Sequence, residues 1–159
     1  MANLLPPHDG LLPKWLLLVR ANPLTLHWLP INILQVALSS IGNSIQAYTT
    51  LSYTRRLYAG PAHGKTPEAV TSPVTPLSAR TFGTWTFMAS IVRLYAAYHI
   101  DEPAWYQVAF WTYLVAFGHF MSEMAVYKTA RWRGPWLAPL MVSTSSLLWM
   151  VMQYSYYMK

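Results

Sequence analysis

"TFMASIVRLYAAYHI", residues 86–100, is an apolar stretch with a single guanidinium, that of Arg93, near its middle. A charge at the centre of a membrane span costs roughly 2.5 kcal/mol or more, so such a residue needs a partner, a water-filled cavity or a task. Whether this stretch is a span is decided by its surroundings. Residues 81–100 carry no other charge, and residues 21–54, 103–122 and 134–158 carry none. Each run holds the roughly 20 residues that crossing a bilayer takes. The 159-residue chain is 54% hydrophobic and 15% aromatic but only 10% charged, too apolar for an ordinary soluble domain. Its mean hydropathy is only +0.24, because Trp and Tyr count as nearly neutral although both favour the membrane interface.

The runs predict an all-α, polytopic bundle of four transmembrane helices, about 33–53, 80–100, 105–127 and 137–157, forming a single domain over 1–159. The first connection, "RRLYAGPAHGKTPEAVTSPVTPLSAR" (55–80), has four prolines and two glycines and reads as an aqueous, irregular loop over 55–78. Its Thr66-Pro67, Ser72-Pro73 and Thr75-Pro76 pairs read better as loop punctuation than as phosphorylation sites. The short acidic "DEPA" (101–104) makes an antiparallel hairpin of the second and third helices, and Gly134-Pro135 separates the third from the fourth. Arg55, Arg56, Lys65, Arg80, Lys128, Arg131 and Arg133 flank one side, against Lys14, Arg20 and Lys159 on the other. That bias places loops one and three in the cytosol. The start, "MANLLPPHDG" (1–10), lacks the basic region of a cleaved signal, so the mature chain is expected to keep it.

Each helix carries one small or polar stripe. Ala79, Gly83, Thr86, Ser90, Arg93 and Ala97 share a face of the second helix. Ser39, Asn43, Gln46 and Thr50 do so on the first, Thr112, Ala116, His119 and Glu123 on the third, and Ser143, Ser146, Met150 and Gln153 on the fourth. Helices in lipid associate through close packing of small residues and interhelical hydrogen bonds, so converging stripes predict a compact bundle. The residues expected to hold it, or its partners, are Asn43, Gln46, Arg80, Gly83, Ser90, Arg93, His119, Glu123 and Gln153. At about 1.5 Å per residue, Arg93 lies roughly 10 Å below the Ile100 end of its helix, and Glu123 about 27 Å from the Trp105 end of the next. An Arg93–Glu123 pair is therefore rejected. Arg93 is expected near Gln153 and Ser39, with Asn43 a turn deeper, and Glu123 near Arg80 or Lys128.

Composition excludes several chemistries. Without cysteine there are no disulfides, thiolate nucleophiles or cysteine metal sites. The net charge of +6 lies at the ends of the apolar runs rather than in one stripe, which argues against nucleic acid. His119 and Glu123, four apart on one face, can be imagined holding a metal or relaying a proton, but two ligands do not make a metal site. The scattered His8, His27, His63 and His99 add no cluster, and there is no glycine-rich nucleotide loop. No cofactor and no autonomous catalysis are expected.

"GNSIQAY" (42–48), "LSARTFGTWTFMASIVRLYAAYHI" (77–100), "WTYLVAFGHFMSE" (111–123) and "APLMVSTSSLLWM" (138–150) resemble the ergosterol biosynthetic protein twenty-eight family, in order and with similar spacing. The resemblance implies an endoplasmic-reticulum membrane protein with four spans and no known activity of its own. It implies a scaffold tethering the sterol C-4 methyl oxidase, the C-3 sterol dehydrogenase/decarboxylase and the 3-keto sterol reductase, with association to sterol C-24 methyltransferase in fungi. Sterols are not legible in composition or spacing. Beside membrane lipid, a homodimer stays open, and so does a rival reading as a small sterol carrier or isomerase-like enzyme using His119 and Glu123. A transporter, with four short spans and no inverted repeat, has less support.

The resemblance fails over "RANPLTLHWLPINILQ" (20–35), an atypical insertion between the Leu12 to Trp15 block and the asparagine-serine block. Two prolines and an arginine predict a poor membrane helix there. The hypothesis is a translated intron or mispredicted exon, and a tryptic peptide of the mature protein spanning residues 21–55 would refute it.

Overall fold

A computed structural model describes residues 28–60, 71–130 and 134–157. Among them are five helices and no strand: α1 (Trp28–Thr49), α2 (Ser52–Leu57), α3 (Pro76–Tyr98), α4 (Pro103–Ala125) and α5 (Leu137–Tyr157). The all-helical expectation holds. Among the described residues no helix is long and apolar enough to cross a membrane. Length is not what falls short, since the four major helices have 22, 23, 23 and 21 residues. Apolarity is diluted by the hydroxyls that recur in α3 and α5, such as Thr81, Thr84, Thr86, Ser143, Thr144 and Ser145.

Helix boundaries differ from the sequence reading where local chemistry overrides periodicity. α1 starts at Trp28, inside the segment read as a poor helix. Pro30 falls in the first turn, where its missing N–H has no intrahelical acceptor to lose. Leu29, Ile33 and Ala37, spaced by four, are fully buried on one face, so the second half of the 20–35 segment is core; residues 20–27 lie outside the described residues. α3 begins four residues early because Thr75 and Ser78 form a reciprocal cap. The Ser78 amide donates to Thr75 Oγ1 at 3.1 Å and the Thr75 amide to Ser78 Oγ at 2.9 Å, with Pro76 opening the first turn. Thr75 is thereby a structural cap.

The chain runs up, down, up and down. One apolar cluster joins the start of α1 (Leu29, Ile33), the end of α3 (Ala96, Ala97, Ile100), the start of α4 (Tyr106, Ala109) and the end of α5 (Met150). A second closes the opposite end with Leu57, Tyr58, Val74, Phe82, Phe120 and Trp136. The reading of 55–78 as one aqueous irregular loop is corrected for its described parts. α2 is helical through Leu57, and Leu57, Tyr58, Ala59 and Val74 are buried under the bundle end. Ser72 and Thr71 hydroxyls hold that return by donating to the Tyr58 and Ala59 carbonyls at 2.6 and 2.7 Å. Residues 61–70, including Thr66-Pro67, lie outside the described residues.

α1 and α3 pack most extensively, and Gly83 is why they come so close. A Cβ there would stand 3.0 Å from Tyr48 Cδ2 and 3.1 Å from Ala47 Cβ. Tyr48 is exposed and can swing, but Ala47 is buried and has nowhere to go. Gly83→Val should therefore cost about 1–3 kcal/mol through overpacking, read as a lower melting temperature of the purified protein. Unchanged melting would contradict the close approach.

Candidate functional site

Arg93 is 6% exposed, between two helix pairs. Its Nε donates to Thr112 Oγ1 at 3.1 Å and its Nη2 to the Thr112 carbonyl at 3.2 Å, both on α4; Nη1 donates to Ser40 Oγ on α1 at 3.4 Å. The Tyr113 ring lies under the guanidinium, 4.4 Å from its carbon to the ring centroid. Burying a cation costs several kcal/mol. Charge-assisted hydrogen bonds and a desolvated cation–π contact offset much of that. The one ion pair among the described residues, His99 Nδ1 to Glu102 Oε1 at 2.7 Å, is at the helix-pair turn and does not involve Arg93.

The depth arithmetic puts Arg93 at the level of Thr112, seven residues into α4 from Trp105. Of the residues expected beside it, Ser39 and Asn43 line the same cavity as Arg93. Ser39 spends its hydroxyl on its own helix, donating to the Gln35 carbonyl at 2.7 Å, while Ser40 faces Arg93. Gln153 is half-buried near the end of α5 and makes no hydrogen bond to Arg93. The small residues Ser40, Ser44 and Ala47 of α1 turn toward α3, while Ser39 and Asn43 line the cavity that Arg93 also lines. Ser44 and Thr86 hydroxyls bond at 2.8 Å, and Tyr48 reaches Thr84 at 2.7 Å. Asn43 reaches Thr86 only at 3.5 Å, and its Oδ1 is buried without a partner. Gln46 supplies its backbone carbonyl to the Thr50 amide at 2.8 Å. Ser90, fully buried, donates to the Phe87 carbonyl at 2.6 Å, and Ser146 ties α5 to Asn32 of α1 at 3.0 Å.

Arg93 and Asn43 line a cavity of about 330 Å³ bounded by all five helices. Ser39, Ser40 and Ser143 add hydroxyls to its wall, and Val36, Ala89 and Ala116 add apolar surface.

A second cavity, about 400 Å³, lies at the opposite end beside His119 and Glu123. The Tyr58 hydroxyl and His119 Nε2 are hydrogen-bonded at 2.7 Å. Burial and the nearby Glu123 carboxylate push the Tyr58 phenol well above its usual pKa, so it stays protonated. Trp85 packs edge-on against the His119 ring at 5.1 Å. Glu123 does not meet Arg80 or Lys128. α4 ends at Ala125, Lys128 takes a left-handed φ of 55°, and the reversal brings Thr129 back to bond the Glu123 carboxylate and, at 2.9 Å, its backbone carbonyl. Arg80 is exposed and contributes its carbonyl to the Thr84 hydroxyl at 3.0 Å. Among the described residues no three His, Asp or Glu side chains gather to hold a metal ion. Tyr58, Asn32, Ser40 and Tyr113 were missed by sequence reasoning; only Ser40 carried a signal, its spacing with Ser44 and Ala47.

A family model described as "Erg28 like protein" matches residues 29–148. Ergosterol biosynthetic protein 28 of Gibberella zeae is 38% identical over 156 residues, covering 82% of this chain and 91% of the relative. Its Saccharomyces cerevisiae namesake is 38% identical over 149 residues, covering 93% of this chain and 83% of the relative. The Homo sapiens homolog of that protein is 36% identical over 125 residues, covering 78% and 83%. No solved structure matches this chain.

Proposed function

The chain belongs to the Erg28 family, and from that premise we propose that it acts in ergosterol biosynthesis as a non-catalytic scaffold of the endoplasmic-reticulum membrane. In this reading it tethers the C-4 methyl oxidase, the C-3 sterol dehydrogenase/decarboxylase and the 3-keto sterol reductase, with sterol C-24 methyltransferase as a further associate. The names of the relatives support the pathway. The partners and compartment rest on the resemblance.

The observation that carries a membrane setting is an inverted distribution of polarity. Ser44, Ser90, Ser143, Ser146 and Arg93 are buried, whereas Met88, Trp111, Leu148, Val151 and Met152 are each more than 60% exposed. In water such a surface is a large unsatisfied apolar patch; in lipid it is ordinary, and the hydroxyls become the interhelical glue. The four long helices then cross the bilayer, with the first and third connections cytosolic by their Lys and Arg bias. The polar groups are mostly consumed inside the bundle, which leaves aromatic and aliphatic faces to meet lipid and partner helices.

The test is a tagged pull-down from microsomes in mild detergent. Joint recovery of oxidase, dehydrogenase and reductase supports the tether; recovery of the chain alone, with the enzymes present in the input, overturns it. The catalytic reading has its own test. With His119 and Glu123 engaged by Tyr58 and Thr129, the double variant His119→Gln, Glu123→Gln should leave the sterol profile of a complemented deletion strain unchanged at equal protein level. Accumulated substrate of a single step would instead favour proton handling by this pair.

A further inference from the structure

The Arg93 cavity is lined by side chains with unused bonding capacity, Arg93, Asn43 and the Tyr113 hydroxyl among them. A guanidinium has five N–H donors, and Arg93 makes three hydrogen bonds, all to neutral oxygens, leaving its charge without an anion among the described residues. Asn43 Oδ1, on the same cavity wall, is a buried acceptor with no donor. Buried polar groups are normally satisfied, and an exception calls for an explanation. The cavity of about 330 Å³ is at the small end of ligand pockets. It holds a headgroup and the first ring or few carbons of a larger molecule.

We propose that this cavity binds the polar end of an amphipathic hydroxy acid, its carboxylate on the Arg93 guanidinium and its hydroxyl donating to Asn43 Oδ1. An anion alone would leave Asn43 unanswered, and a neutral alcohol would leave Arg93 uncompensated. The pair asks for both groups at one end of an apolar body. Val36, Ala89 and Ala116 supply the apolar wall. The rest of the ligand lies outward along the exposed apolar faces. The identity of the ligand rests on the proposed tether. A methyl oxidase and a decarboxylase share a carboxylic acid between them, since loss of carbon dioxide requires a carboxyl group. A scaffold that grips this acid would retain the one charged, and therefore most water-soluble, species passed between its partners. The same anion-plus-hydroxyl chemistry exists in a lysophospholipid headgroup, and the experiment separates the two.

The purified full-length chain, in phosphatidylcholine nanodiscs without partner enzymes, is titrated with a radiolabelled 3-hydroxysteroid 4-carboxylic acid and with its methyl ester. Saturable binding of the acid, with the ester at least about tenfold weaker, is expected from loss of a charge-assisted contact. Asn43→Asp places a second carboxylate on the cavity wall and should weaken the acid about tenfold or more by neutralising Arg93 and repelling the ligand. Its helicity and monodispersity should match the parent chain. Stronger displacement by lysophosphatidic acid than by unlabelled steroid acid keeps the site and assigns it to a lipid headgroup. Equal binding of acid and ester, or an Asn43→Asp protein that binds the acid as well as the parent, overturns the site. Binding is read without partners and tethering by co-purification, so either can fail alone.

Discussion

Arg93→Ala should destabilise the bundle by about 2–4 kcal/mol, the sum of lost charge-assisted hydrogen bonds and the void left behind, less the relief of desolvating a cation. Among the described residues, this side chain alone bonds α3 simultaneously to Thr112 of α4 and to Ser40 of α1. Its removal uncouples the helix pairs at mid-depth. Arg93→Lys should fall between, because an ammonium keeps the charge and the Tyr113 contact but cannot span three acceptors in a planar fork. Thermal unfolding of the detergent-purified protein reads both. A melting temperature for Arg93→Ala equal to the parent's would sink the lock and leave the cavity ligand as the sole reason for the charge. If the lock is what presents the bundle to partner helices, Arg93→Leu also lowers co-recovery of the three enzymes.

The second large effect is expected at Gly60. Its φ of +71° is costly for any residue with a Cβ, and a Cβ there would stand 2.1 Å from the Thr71 carbonyl oxygen. Its amide donates to the Thr129 carbonyl at 2.8 Å, so the same glycine joins the first connection to the reversal after α4. Moving away to relieve the clash breaks that bond. Gly60→Ala should cost about 3–4 kcal/mol, combining left-handed strain with a backbone collision. The cluster under Tyr58 should open, exposing His119 to solvent. Gly42→Ala and Gly118→Ala are the controls. Both glycines are in helices with nothing within 4 Å of an added Cβ, so alanine should stabilise by up to about 1 kcal/mol through helix propensity. Equal melting of all three variants would remove the argument for Gly60.

The candidate site was half legible. Counting residues from the ends of two helices joined by a four-residue turn gave the right depth for Arg93, because helical rise is nearly constant. The same count placed Glu123 far away, and it does lie apart from Arg93, bonded to Thr129. Rotation about the helix axis was not legible. Ser39, Asn43, Gln46 and Thr50 form a polar stripe, and Ser40, Ser44 and Ala47 a small one, about 100° apart on α1. Both turn inward, the small one against α3 and the polar one, through Ser39 and Asn43, toward the Arg93 cavity, and amide content did not show which of them meets α3. Close packing chose the small one, since Ala47 can touch Gly83 and Gln46 cannot approach so near.

What the amino-acid sequence by itself determined is the number, length and order of the long helices, the isolation of one cation among apolar neighbours, and the punctuation by Pro76, Pro103 and Gly134. These depend on local properties: backbone propensity, caps and the distribution of charge. The tertiary structure alone decided which stripe meets α3, that Thr112 and Tyr113 receive Arg93, and that Tyr58 folds back beneath His119. Those outcomes depend on contacts between residues 19 to 61 positions apart. In helices with apolar residues on every side, no period in the chain distinguishes the face that meets a neighbour from the face that meets solvent or lipid; the fit of side chains across the interface does.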